Sequence, residues 1–301
     1  MHRRGQPCFH CGNCVSPHLY HSYSRHQFSG FPDVCHSRNV KEIKEILSAS
    51  QRLEVYRWLF IADPSSLHNQ VCSLYEPYTG NWVLDTQEWK DWVAGSEGCL
   101  WIHGIPGAGK TVLASYLIKN ANTICHNSTG EGIFTCVYYY CHQRERNEAM
   151  PFLRWILSQL CRKADQVPAS VHTLFKSGTD PATNEVLDGI EDRLDSFETV
   201  FIVLDAIDEC NTWTDLLAAL KALASPRFPK IRLIATSREY RQIEDTMKEI
   251  SKTVSMDNKA VKRDIRLWVH SATARDGYIS KWTPTLLDKV RNLLPDRAQG
   301  M

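Results

Sequence analysis

Residues 103 to 115 read HGIPGAGKTVLAS, and within them Gly104, Gly109, Lys110 and Thr111 hold the spacing G-x-x-x-x-G-K-T. That combination of residue types suits a phosphate chain. Glycines let successive backbone N–H groups converge on phosphate oxygens, a lysine sets a positive charge against the β and γ phosphates, and a threonine hydroxyl ligates Mg²⁺. The loop residues Gly104, Ile105, Pro106, Gly107, Ala108 and Gly109, with Lys110, Thr111 and Val112 opening the next element, are therefore the candidate nucleotide contacts. A bland alternative is a glycine-rich turn that matches by accident, which average residue usage allows in roughly one chain in a hundred. An apolar run directly before the motif and an amphipathic one directly after it argue for the phosphate cradle.

A second group of candidates is acidic. VFIVLDAIDEC, residues 200 to 210, is a run of five apolar residues ending in Asp205, as expected of a buried strand that delivers a carboxylate to a magnesium ion. Taking Asp208 as the metal ligand and Glu209 as its neighbouring base would leave Asp205 buried in the strand without a partner, so Asp205 is the preferred ligand. Ala206 then stands where many hydrolytic ATPases carry a glutamate. Asp208 and Glu209 follow, placed to orient or deprotonate an attacking water; the plainer reading is a solvated acid that caps the next helix. The run IRLIAT ends in Ser237-Arg238, and an arginine at the carboxyl end of a parallel strand points to the crevice where ligands of such sheets sit. Arg238 is thus a candidate sensor of the γ phosphate, set against the reading of an ordinary surface arginine.

The elements that must position these residues are legible as a repeating pattern. Short apolar runs at 99–103, 133–140, 200–204, 231–236 and 253–256 predict strands. Helical periods at 111–125, 148–163, 183–197 and 214–224 lie between them. Fully apolar strands alternating with amphipathic helices predict an α/β fold with a central parallel sheet flanked by helices, and the glycine-loop motif between its first strand and helix makes the expectation a P-loop NTPase. This core spans 96–257. Before it, 40–95 reads as a helical linker and connector: a helix from Lys41 to Phe60 stopped by Asp63-Pro64, a polar connector, and a short helix around TQEWKDWVAG. After it, 258–301 carries only helical signals, a C-terminal helical extension.

Bulk properties narrow the function classes. With 35 basic and 34 acidic residues the formal charge is +1, which gives a nucleic-acid-binding role no support. No apolar run approaches the roughly 20 residues of a membrane helix, and the opening MHRRGQPCFH lacks the apolar core of a secretory signal. Eleven cysteines, an odd number spread through apparent core elements, argue for a reducing, cytoplasmic setting rather than a disulfide framework. Residues 1–39 are different in kind: six of the twelve histidines fall there, with no amphipathic period, and a disordered leader is expected. Cys8, Cys11 and Cys14, with Cys35-His36, supply enough zinc ligands, but in no common spacing.

The residues GIPGAGKT, LDAIDE and ATSR together resemble the NACHT class of STAND P-loop NTPases. More narrowly, they resemble the nephrocystin 3-like N-terminal domain of fungal NLR-like proteins. The connector YEPYTGNWVLDTQEWKDWVAGSEGCLWIHGIPGAGKTVLAS is similar to that family's approach to the loop, and RDIRLWV to its helix after the core. The resemblance covers about 65–301. It implies a signalling switch that binds a purine nucleotide, ATP or GTP, with Mg²⁺, hydrolyses it slowly, and acts through protein partners or self-association of the NTPase domain. Lys110 and Thr111 carry over as phosphate and magnesium contacts, Asp205 as the magnesium ligand, Asp208 and Glu209 as the acidic pair, and Arg238 as the sensor. Thr79 and Gly80 carry over as neighbours of the base or ribose. The family pattern continues beyond Gln299-Gly300-Met301 into a winged helix and often repeats, so the resemblance implies a truncated member without the winged-helix contact to the β phosphate. A nucleotide-binding scaffold without useful turnover is the alternative. A small-molecule kinase with HQRERNE (142–148) as an arginine lid is less favoured, because those arginines follow the second strand. ATP is preferred over GTP because Asn258-Lys259 runs into Ala260-Val261 and no N-K-x-D guanine signature forms.

Overall fold

The computed structural model describes residues 49–61, 63–128, 132–141 and 147–298. The Cys/His-rich leader, the candidate zinc ligands and the arginines of 142–146 lie outside them.

Five strands form one parallel sheet: β1 (Cys99–His103), β2 (Phe134–Tyr140), β3 (Thr199–Asp205), β4 (Ile231–Ser237) and β5 (Lys252–Ser255), in the order β2-β3-β4-β1-β5. Each apolar run became a strand within a residue or so of its expected bounds. Their buried, β-branched and aromatic composition is that of strands covered on both faces. Alternation along each strand sorts the side chains into two cores. Val200, Ile202 and Leu204 of β3 and Leu233 and Ala235 of β4 face one core, which buries α1 (through 49–59), α6 (Ala149–Lys163), α7 (Ala169–Ser177), α8 (Thr183–Leu194), α9 (Thr214–Leu223) and α10 (Arg241–Ile250). Phe201 and Val203 of β3, with Leu100 and Ile102 of β1, face the other, built by α3 (Asn81–Asp85), α4 (Gln87–Ala94) and α5 (Lys110–Asn127). By the same alternation, the last residue of β3, Asp205, points to the α5 side.

The polar connector expected after Pro64 is in part helical: α2 runs Ser65–Ser73. Only Val71 of α2 is buried, with Leu67 four residues earlier packed against the second core, so its apolar stripe is short. Polar tertiary contacts add to it: His68 Nδ1 lies 2.8 Å from the Tyr140 hydroxyl, and its ring stacks on Tyr138 at 4.3 Å. The helix expected over 183–197 ends at Leu194, whose carbonyl accepts from Lys230 Nζ. Phe197 is buried in the first core from the turn that follows. After β5 come α11 (Lys259–Arg275), capped by the Asn258 side chain on two backbone N–H groups, and α12 (Pro284–Arg297), which together form the helical extension.

Candidate functional site

The loop between β1 and α5 is shaped by glycines. Gly107 and Gly109 sit at φ of 79° and 84°, a region that costs a side-chain-bearing residue about 1 kcal/mol or more, and Gly109 is the residue from which α5 starts. The first-turn N–H groups of α5 have no acceptor within the helix and face the loop, the arrangement that binds phosphate; Pro106 adds no donor of its own. Lys110 is 9% exposed. Its Nζ donates to the carbonyls of Gly104 (2.8 Å) and Ile105 (2.9 Å), committing two of three donors to the loop's own backbone. Burial lowers its affinity for a proton, with Asp208 the largest opposing charge.

Thr111, one residue on, meets the end of β3. Its hydroxyl bonds to Asp205, and so does that of Thr236, which donates to Asp205 Oδ1 at 2.5 Å. Asp205 is 2% exposed. Burial pushes its carboxyl up from 3.8 to about 6, against the pull of those two hydroxyls. The carboxylate is therefore partnered, by one residue of the glycine-loop motif and by one that no motif marks. Thr236 also accepts from the Ala206 N–H at 3.0 Å, which fixes Ala206 at a φ of 60°, where the chain leaves the strand for a 3₁₀ turn over Ile207–Glu209. Parallel register explains the meeting. Leu204 pairs with Ala235, so the next residue of each strand, Asp205 and Thr236, lies side by side.

The turn brings Asp208 to Arg238. Arg238 donates twice, from Nε to Oδ2 at 3.0 Å and from its backbone N–H to Oδ1 at 3.0 Å. The Asp208 side chain is 3% exposed while that of Arg238 remains 36% exposed, so the carboxylate is the fixed partner and the guanidinium faces outward. Asp208 does not cap the following helix, since α9 has Trp213 at its N-cap position and no side-chain cap. The two acids are thereby distinguished: Asp208 is held by Arg238, and Glu209 is the half-buried acid beside it.

The remaining candidates, Thr79 and Gly80, line a cavity of about 500 Å³ that borders the loop at Gly107–Gly109 and reaches Val112. Its wall is mainly apolar, with Tyr116 and Trp268 supplying aromatic surface. Thr79 directs its hydroxyl back onto the Glu76 carbonyl, at 2.7 Å. Among the described residues no group of three or more His, Cys, Asp or Glu side chains forms a metal cage. One carboxylate and one hydroxyl fit instead the hard cation that shares its coordination with phosphate oxygens and water. Every described cysteine, Cys72 through Cys210, is a free thiol.

The family model described as Nephrocystin 3, N-terminal matches residues 78–238. The chain belongs to that family. The matched span opens one residue before Thr79-Gly80 and closes on Arg238, so it encloses every candidate site residue. The vegetative incompatibility protein HET-E-1 of Podospora anserina is 22% identical over 240 residues, covering 73% of this chain. The chain spans 17% of that relative's length. Both agree with the resemblance to NACHT-class, nephrocystin 3-like N-terminal domains. Among the described residues no helix is long and apolar enough to cross a membrane.

Proposed function

We propose that this domain binds a magnesium–nucleotide, ATP in preference to GTP, and works as a nucleotide-dependent switch in signalling. The observation that carries the reading is a pair of buried charges in the wrong medium. Lys110 and Asp205 are both desolvated and both shifted toward their neutral forms, at the end of a glycine loop and a helix N-terminus. Burying such groups is unfavourable unless each meets an opposite charge, and a triphosphate with its cation supplies both. Lys110 and the loop N–H groups, Gly104 to Thr111, would hold the phosphates. Thr111 and Asp205 would hold Mg²⁺, which would supply positive charge to the phosphate chain. The cavity beside Gly107–Gly109, lined by Thr79 and Gly80, takes the nucleoside, and 500 Å³ lies within the usual range for such sites.

Glu209 is assigned the attacking water and Arg238 the γ phosphate, with Asp208 orienting Arg238. A second reading, nucleotide binding without useful turnover, is favoured by the same pair: an Asp208 bound twice to Arg238 is withdrawn from proton transfer. Single-turnover hydrolysis of radiolabelled ATP separates the two. Switching predicts slow hydrolysis, lost in Glu209→Gln. A near-zero rate unchanged by that substitution supports the second reading. Self-association through the NTPase domain is part of the switch proposal, and light scattering with and without Mg-ATP tests it.

A further inference from the structure

The cavity beside the phosphate loop is walled by the loop itself, α5, a face of α11 and the end of α12. The connector of residues 74–82 closes it, and that connector is tied to α11 at two places. Gly80 N–H donates to Asp264 Oδ2 at 2.6 Å, and the Trp82 side chain bonds to the same carboxylate. Three helical turns further on, Arg275 is ion-paired with Glu76, whose side chain is 12% exposed. The connector therefore lies along α11, clasped at both ends. Gly80 has a φ of 78°, and a Cβ there would meet Leu113 Cδ1 at 3.0 Å, so the turn that presents its N–H to Asp264 suits glycine alone. A stacked pair, Tyr75 on Tyr116 at 5.0 Å and 6°, fixes the connector's other side to α5.

Asp264 is a carboxylate half-buried in an apolar wall, and its contacts set how close α11 stands to Gly80. Among the described residues it shares no hydrogen bond or ion pair with Lys110, Thr111 or Asp205, and it lies beyond the family-matched span of 78–238. We propose that Asp264 is the positioning residue of the nucleoside subsite: by holding Gly80 and Trp82 against α11 it sets the affinity for base and ribose without touching the affinity for phosphate. This rests on the nucleotide reading above. It goes further in naming the residue that couples the nucleoside to the helical extension. A nucleoside seated in the cavity reinforces the clasp, and opening the clasp releases it.

The test compares two ligands on the full chain, Mg-ATP and Mg-tripolyphosphate, by isothermal titration calorimetry. Tripolyphosphate carries the phosphates without the nucleoside. Loss of a hydrogen-bonded charged partner should weaken Mg-ATP binding by Asp264→Ala roughly 10- to 100-fold, with tripolyphosphate binding unchanged. Asp264→Asn keeps an acceptor for the Gly80 N–H and should recover most of the ATP affinity. Arg275→Gln, at the exposed end of the clasp, should show the same split in smaller measure, and it carries the test if Asp264→Ala fails to fold by circular dichroism. Lys110→Ala should lose both ligands. Equal weakening of both ligands in Asp264→Ala, or no weakening of either, overturns the clasp while leaving the nucleotide reading intact. Wild-type protein that binds tripolyphosphate as tightly as ATP also overturns it. Wild-type protein that binds neither ligand overturns both readings.

Discussion

Replacing Asp205 by asparagine should make the protein more stable and unable to respond to its nucleotide. Burial raises the carboxyl from 3.8 to about 6. A rise of about two pH units means that the charged form is disfavoured in the folded state by about 3 kcal/mol. The folded value lies above the unfolded one, so in the window from about 4 to 6 the folded chain keeps a proton that the unfolded chain has lost. The stability this proton confers is complete below about 4 and is lost as pH rises through about 6. Asparagine, neutral throughout, keeps an acceptor for Thr236 and escapes the loss. The gain over wild type should be near zero at the acid end, roughly 1.5 kcal/mol at pH 5, and about 1 to 3 kcal/mol at pH 7.5 once imperfect bonding to Thr111 is allowed for. A chain of this size would show that as a rise of roughly 2 to 6 °C in melting temperature. Wild type should regain the difference on adding Mg-nucleotide at about 100 times its dissociation constant, which stabilises by about 2.7 kcal/mol, and the variant should not. Differential scanning fluorimetry at pH 5 and pH 7.5, with and without Mg-ATP, reads all four conditions. An Asp205→Asn protein that is less stable at both pH values, or that is stabilised by Mg-ATP as strongly as wild type, would refute the reasoning.

Thr236→Val removes the hydroxyl that both accepts from Ala206 and donates to Asp205, so urea denaturation should show a loss of about 1 to 3 kcal/mol together with weaker Mg-ATP binding. Asp208→Asn leaves the Arg238 guanidinium without its fixed counter-charge; ATP affinity should hold within a few fold while the single-turnover rate falls, and an unchanged rate would remove Asp208 from the mechanism. Trp92→Phe deletes an indole N–H that donates to the Leu233 carbonyl at 2.9 Å in the core, and should cost about 1 to 2 kcal/mol by urea denaturation with nucleotide binding intact. A larger effect on binding than on stability would contradict that purely structural role.

How far the sequence carried depends on the kind of contact each residue makes. β1, β3 and β4 were legible because a strand buried on both faces is apolar at every position, a signal that needs no knowledge of neighbours. α5 and α9 announced themselves by period, and Lys110, Thr111 and Asp205 by their place at the end of such elements. Contacts across the chain were hidden. α2 is held by His68 against Tyr138 and Tyr140 and shows only a short stripe of its own, Leu67 and Val71. α10 carries Ile243, Met247 and Ile250, spaced four and three among charged residues, an amphipathic stripe that was there to read. Thr236 looked like one more residue of the apolar run IRLIAT until strand register set it beside Asp205. The division of labour between Asp208 and Glu209 likewise waits on where Arg238 falls. Asp264 sat in RDIRLWV as a polar residue on an amphipathic helix, and only the fold brings Gly80 to it, 184 residues earlier in the chain.

The central claim is that the loop from Gly104 to Thr111 holds a nucleotide through Lys110, and calorimetric titration of Mg-ATP into wild-type and Lys110→Ala protein measures it most directly. Wild type is expected to bind one nucleotide per chain, dependent on Mg²⁺, and the variant, deprived of its charge-assisted bonds to phosphate, to show no saturable heat over the same range. A variant that binds Mg-ATP as tightly as wild type would contradict the claim.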